Sequence, residues 1–227
     1  MSQQGGHHPP AADAEPSTRA DMYDELARLG SATVYEAAGR QGLVDLDLIQ
    51  VLPGSRVAGP ARTVRCGQAD NLMVHAVMGQ AQPGDVLVLT MPEPEPVALV
   101  GELLATQAKE RGVAGVLVDA SVRDTEELVD LGLPIWARWV RVRGADKSAV
   151  GAINEPVQVG GAAISPGDAV VLDADGAVVV PSARSDEVLS AARERAERER
   201  VKRAKLEQGE LSYDLDGLRE IVEQADG

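Results

Sequence analysis

GELLATQAKERGVAGVLVDASVRDTEELVDLGLPIWAR, residues 101–138, is the stretch whose reading decides the fold. A helix begins near Gly101, residues 114–119 (AGVLVD) form an apolar strand, and Ser121 to Asp124 turn the chain into a second helix. That spacing brings Glu102, Arg123 and Asp124 to one rim. The first turn of a helix leaves its backbone N–H groups without intrahelical partners, so Leu103 and Leu104 offer two donors to a small anion such as a carboxylate. One cation, two carboxylates and two N–H donors form the inventory needed to hold a keto acid through a divalent metal. A structural account competes with this one. Asp124-Thr125-Glu126-Glu127 fits a capping box, and Glu102 can simply complement a helix dipole.

Working outward, strand, helix and strand alternate from Leu87 to Ala137. Upstream, Arg56–Cys66 and Asp85–Thr90 are β-rich segments separated by a helix from about Asn71 to Met78, and Pro83-Gly84 is a turn. Ser17 is placed to cap a helix running to about Leu29, and Ser31 to cap a second that carries Glu36 and Arg40. Downstream, residues 141–165 are Gly-rich and irregular. Ala169–Leu172 and Ala177–Val180 then pair as a hairpin around Asp173–Gly176. The fold class is α/β with some antiparallel strands.

Composition marks three regions: a disordered leader over 1–17, an α/β domain over 18–182 that holds the candidate catalytic rim of Glu102, Arg123 and Asp124, and a helical tail over 183–227. The tail is highly charged, with a thin apolar stripe at Val188, Leu189, Ala192, Ala196, Val201 and Leu206. Such a stripe rarely folds alone, which predicts packing along a neighbouring subunit, continued by Leu211 to Ile221; a solvated tail helix is the alternative. His7 and His8 lie in the leader and have no further ligand nearby, so they are not read as a metal site.

The formal net charge of -14 argues against nucleic acid as the main partner, because such binding draws its affinity from Lys and Arg on phosphates. With no phenylalanine, three tyrosines and two tryptophans, stacking platforms for single strands are also scarce. No apolar run approaches the roughly 20 residues of a spanning helix, and the N-terminus lacks the order of a signal peptide, so no membrane role and a cytoplasmic location are expected. Cys66 stands alone, which excludes an intrachain disulfide and a cysteine-based zinc cluster.

Several chemistries are missing. The sequence has no GxSxG elbow, P-loop, GxGxxG fingerprint or HExxH motif, and thus no organic cofactor is expected. His75 falls beside apolar residues on a helix, where a core or interface role outweighs catalysis. A Schiff-base lysine needs apolar burial to lower its pKa, and none of Lys109, Lys147, Lys202 and Lys205 has that setting. Lys147, in a polar loop, reads better as a cation for a carboxylate.

The 101–138 stretch closely resembles the signature of the divalent-metal (class II) pyruvate aldolases that act on 4-hydroxy-4-methyl-2-oxoglutarate and 4-carboxy-4-hydroxy-2-oxoadipate, a superfamily that includes the regulator of ribonuclease E activity. ATVYEAAGRQGL, PGSRVAGPARTV, DNLMVHAVM, PGDVLVL, ISPGDAVVLDADGAVVVP and KRAKLEQGEL look like further blocks of the same family, from about Leu26 to Arg219. The resemblance implies a swivelling β/β/α domain with a mixed sheet and a long C-terminal helical tail, assembled as a homotrimer or homohexamer with sites at subunit interfaces. It implies cleavage of a 4-hydroxy-2-oxo diacid to pyruvate and a second oxo acid, with oxaloacetate decarboxylation as a side activity. By the same resemblance, Asp124 holds Mg2+ or Mn2+, Arg123 stabilises the enolate, and the amides of Leu103 and Leu104 hold the pyruvyl carboxylate. Glu102 stands where an acidic residue, commonly Asp, orders a water, and Glu199 matches a glutamate given by the neighbouring chain. Asn71 and Lys147 match positions near the distal carboxylates, while Glu36 and Arg40 border the site. Two alternatives remain open: a non-catalytic regulator that binds an RNA-degrading enzyme, and a dedicated oxaloacetate decarboxylase.

Overall fold

The computed structural model describes residues 18–225. The 1–17 leader reading, with Ser17, His7 and His8, lies outside these residues. In chain order the structure runs α1 (Arg19–Leu29), α2 (Ser31–Ala37), β1 (Leu43–Val44), β2 (Ile49–Gln50), β3 (Val57–Arg65), α3 (Leu72–Val77) and β4 (Val86–Thr90). It continues through β5 (Ala98–Val100), α4 (Glu102–Glu110), β6 (Gly115–Val122), α5 (Thr125–Leu131) and β7 (Ile135–Val140). The last part comprises β8 (Ala152–Ile153), β9 (Val157–Val159), β10 (Ala162–Ile164), β11 (Ala169–Asp173), β12 (Gly176–Val180), α6 (Ser185–Glu207), α7 (Ser212–Leu215) and α8 (Leu218–Ala225).

The main sheet has the order β1-β12-β11-β3-β4-β6-β7-β2, with β5 paired to β6 and β8 to β3. Strands β3, β4, β6 and β7 are mutually parallel, whereas β11, β12 and β1 extend the sheet antiparallel from β3. This is the expected mixed α/β sheet. The parallel strands are buried on both faces and therefore read as continuous Val and Leu runs, with alternate residues feeding separate cores. Leu87, Leu89, Val116 and Val118 face one core with Leu104, Ala105 and Leu128 of α4 and α5. Val86, Val88 and Leu117 face another with Trp136, Ile164 and Leu172.

A third core lies beneath α1, α2 and the first half of α6, where Leu26, Val34, Val188 and Leu189 meet Val171, Val178 and Val180. The α6 stripe thus packs on its own chain as far as Ala192, while Val201 and Leu206 stay exposed. Beyond it, α8 is strongly amphipathic and leaves Leu218, Ile221 and Val222 uncovered.

Two caps differ from expectation. Thr18, not Ser17, starts α1 with a capping box to Asp21. Ser31 makes no cap bond for α2; its N–H and hydroxyl donate instead to Asp173, at 2.7 and 2.6 Å. The Asp173 carbonyl also accepts from the Trp136 indole at 2.7 Å, so one turn residue ties the buried tryptophan to the start of α2. No helix among the described residues is long and apolar enough to cross a membrane.

Candidate active site

β5 delivers the chain to Gly101 at the head of α4, and β6 delivers it to Arg123 and Asp124 at the neighbouring strand end. Ligands of open α/β sheets collect at such carboxyl ends. Asp124 does not form the capping box: its backbone is left-handed (φ 60°, ψ 44°), and its side chain makes no bond to α5. The carboxylate points across to α4, where Oδ2 accepts from the Glu102 N–H at 3.1 Å and lies 3.6 Å from Arg123 Nε. With that first amide committed, Leu103 and Leu104 hold the open donors of the turn.

Two glycines make the crowding possible. A Cβ on Gly101 would come within 2.5 Å of Asp124 Oδ2 and 3.2 Å of Arg123 Nε, and one on Gly144 within 2.9 Å of Arg123 Nη1. Both flank a cavity of about 360 Å3 lined by Asn71, His75, Glu102, Leu103, Leu104, Arg123, Asp124 and Lys147, among others. Of the seven residues there that the sequence singled out, Asn71 caps α3, Glu102, Leu103 and Leu104 form the first turn of α4, Arg123 and Asp124 follow β6, and Lys147 joins them from the loop after β7. His75 is the residue that sequence reasoning set aside. It is exposed at the cavity, not in the core, because α3 turns Val74 and Val77 inward and His75 outward.

Asn71 is nearly buried, and its side-chain NH2 donates to the Leu99 carbonyl at 3.0 Å. Its preceding neighbour Asp70 is 1% exposed and accepts from the N–H groups of Leu72, Ser148 and Ala149 at 2.8, 2.6 and 2.9 Å. Burial pushes the Asp70 carboxyl up, yet the Ser148, Leu72 and Ala149 donors together outweigh it and hold the pKa below the usual value.

Glu36, Arg40 and Glu199 do not line this cavity. They form a separate charged ladder on α2, the turn that follows it, and α6: Arg40 Nε lies 3.2 Å from Glu36, and Arg195 reaches Glu36 at 3.8 Å and Glu199 at 2.8 Å. Meanwhile the cavity rim carries Leu103 at 81% exposure, and Val142 in the adjoining loop is 92% exposed.

Residues 20–179 match the RraA-like family model, Aldolase/RraA. The chain belongs to the RraA-like family. A family relative from Halalkalibacterium halodurans, named "Putative 4-hydroxy-4-methyl-2-oxoglutarate aldolase", is 39% identical over 140 residues, which are 62% of this chain and 67% of that protein. The crystal structure of Streptomyces coelicolor RraAS2, described as an unusual member of the RNase ES inhibitor RraA protein family, is 32% identical with a TM-score of 0.74, covering 82% of this chain and 98% of its own. An uncharacterized protein from Pseudomonas syringae pv. tomato str. DC3000 shares the fold at 24% identity and a TM-score of 0.77, over 90% of this chain and 96% of that one. The RraA-like match ends before α6, so the Glu199 end of the ladder lies outside it.

Among the described residues, no three His, Cys, Asp or Glu side chains gather into a metal cage. The set that is present, half-exposed Asp124 with Glu102 beside it, suits a hard divalent ion that keeps most of its waters and takes one or two carboxylates. It does not suit a site built from several histidines or cysteines.

Proposed function

We propose that this RraA-like chain is a class II pyruvate aldolase, a carbon–carbon lyase that splits a 4-hydroxy-2-oxo diacid into pyruvate and a second oxo acid. One observation carries the reading: the Asp124 carboxylate, the Arg123 guanidinium and the open amides of α4 meet in one cavity that Lys147 faces from another wall. The name of the Halalkalibacterium relative supports the reaction type. Mg2+ or Mn2+, which Asp124 would hold with Glu102 ordering a water beside it, would supply positive charge against the developing enolate.

The chain's own groups do the remainder. The Leu103 and Leu104 amides and the α4 dipole hold the C1 carboxylate, and Lys147 pairs with the distal one. Glu102, or Glu199 of a second copy, takes the C4 hydroxyl proton. The C3–C4 bond then breaks, C4 becomes a carbonyl, and the electron pair passes into the C2–C3 enolate, whose negative charge Arg123 stabilises. Return of the proton to C3 gives the methyl group of pyruvate. Oxaloacetate, losing CO2 in place of an aldehyde or ketone, enters the same enolate and is the expected side substrate.

A homo-oligomer would supply the second carboxylate. Exposed Leu103 and Val142 at the rim, and the uncovered face of α8, are apolar surfaces that a homotrimer or homohexamer would cover, bringing a neighbour's Glu36, Arg40 and Glu199 to the cavity. We assign the enzyme to the cytoplasm, where a lone buried thiol stays reduced. The test is a lactate-dehydrogenase-coupled pyruvate assay over a panel of 4-hydroxy-2-oxo acids and oxaloacetate, with Mg2+, Mn2+ or EDTA. Pyruvate release that persists undiminished in EDTA sinks the metal role. Oxaloacetate turnover above every aldol substrate makes it a decarboxylase. The 32% identity to the Streptomyces protein favours a second reading, binding to an RNA-degrading enzyme, which no pyruvate release from any substrate together with inhibition of that nuclease would support.

A further inference from the structure

The loop that carries Lys147 has little regular structure, yet it is fastened at both ends to the head of α3. Asn71 N–H donates to the Asp146 carbonyl at 2.8 Å and Asp146 N–H to the Ala69 carbonyl at 2.9 Å, so the two segments pair on one side of Lys147. On its other side, Ser148 and Ala149 donate their N–H groups to Asp70 Oδ2. Oδ1 of the same carboxylate takes the Leu72 N–H in the first turn of α3. Gly67 completes the join, since a Cβ there would lie 2.4 Å from Ala149 Cβ. Asp70 itself has no place in the cavity lining. A buried carboxylate whose oxygens are filled by backbone donors from two segments acts as a fixed strut, because removing it strands three N–H groups.

We propose that Asp70 is a positioning residue: it pins Lys147 at a set distance from Arg123 and thereby fixes the length of dianionic ligand that the cavity accepts. The inference rests on the cavity being the ligand site, and it deepens the reading above by naming what selects the second carboxylate. Lys147 has no carboxylate partner among the described residues, so its ammonium is available to a ligand. Arg123, by contrast, follows β6 directly and packs against Gly101 at the head of α4, and it makes no bond to Asp70.

The test is binding, measured by calorimetry in the presence of Mg2+ with pyruvate and with unreactive straight-chain dicarboxylates of four to seven carbons. Wild type, Asp70→Asn, Lys147→Ala and the double variant are compared. For the dicarboxylate that wild type binds best, Asp70→Asn weakens affinity about tenfold and flattens the preference for chain length, while pyruvate binding changes less than twofold. In the Lys147→Ala background Asp70→Asn has no further effect on the dicarboxylates. Equal losses for pyruvate and dicarboxylate, or effects that multiply in the double variant, overturn the proposal.

Amide exchange tests the strut separately. In wild type the Ser148 and Ala149 amides exchange as slowly as those in β4, and free exchange there overturns the proposal even if Asp70→Asn does not fold. These readouts need no turnover. A wild type that binds dicarboxylates but releases no pyruvate defeats the aldolase reading and leaves the role of Asp70 standing.

Discussion

The Asp124 carboxylate accepts a hydrogen bond from the backbone N–H of Glu102, 22 residues earlier in the chain, at 3.1 Å. A side chain that sequence alone assigns to the start of α5 therefore closes the mouth of α4, and it does so from a left-handed backbone. Asn tolerates that backbone nearly as well as Asp. Asp124→Asn is thus expected to keep the fold and lose at least about a hundredfold in kcat/KM, since it removes a charge from the reacting centre. Circular dichroism and the pyruvate assay check the two halves of this expectation.

Gly101→Ala tests the crowding. The added methyl lies where Asp124 Oδ2 now sits, at 2.5 Å, and both partners of the contact are at the site. Activity should drop about tenfold or more while thermal stability falls by no more than about 1–3 kcal/mol, the usual range for overpacking. A fully active Gly101→Ala protein would show that the Asp124 position does not matter.

Glu199 can be tested by mixing. If it serves a neighbouring chain's cavity, Asp124→Ala and Glu199→Ala homo-oligomers are each inactive, yet mixed oligomers regain activity in sites that pair two intact residues. Co-expression with two different affinity tags isolates the hybrids. Activity no higher than that of the parents argues for separate sites.

Cys66 supplies a pH prediction. Burial, with the nearby Asp70 charge adding to it, pushes the thiol from 9.0 up to about 12. Between these values the unfolded chain releases the proton and the folded chain keeps it, so the unfolded state binds fewer protons and stability falls as pH rises. Cys66→Ala should flatten the loss of stability across pH 9 to 12, as read from urea midpoints. At pH 8 a thiol reagent should leave the native protein untouched and label it only after unfolding.

Local signals carried the elements well. The Val and Leu runs of β4 and β6 and the DADG turn between β11 and β12 specify their own backbone; the structure has each of them, although β6 runs on through Ser121 and Val122, where the sequence predicts a turn. Side-chain partners were a different matter. Ser31 has the composition of a cap but spends its hydroxyl on Asp173, 142 residues away, and Asp70 meets Ser148 across 78 residues. Neither pairing has any periodicity to read, because both are made by the fold closing. His75 was hidden for a simpler reason: a six-residue helix gives too few turns to show which face is inward.

Asp124's left-handed backbone also marks the position for a reader of other sequences. A descendant that keeps this fold but gives up the chemistry loses least by carrying Asn or Gly there, since a β-branched residue would strain the turn between β6 and α5. On the aldolase proposal, positions 124 and 101 together record whether such a chain keeps the carboxylate of the cavity and the space that admits it.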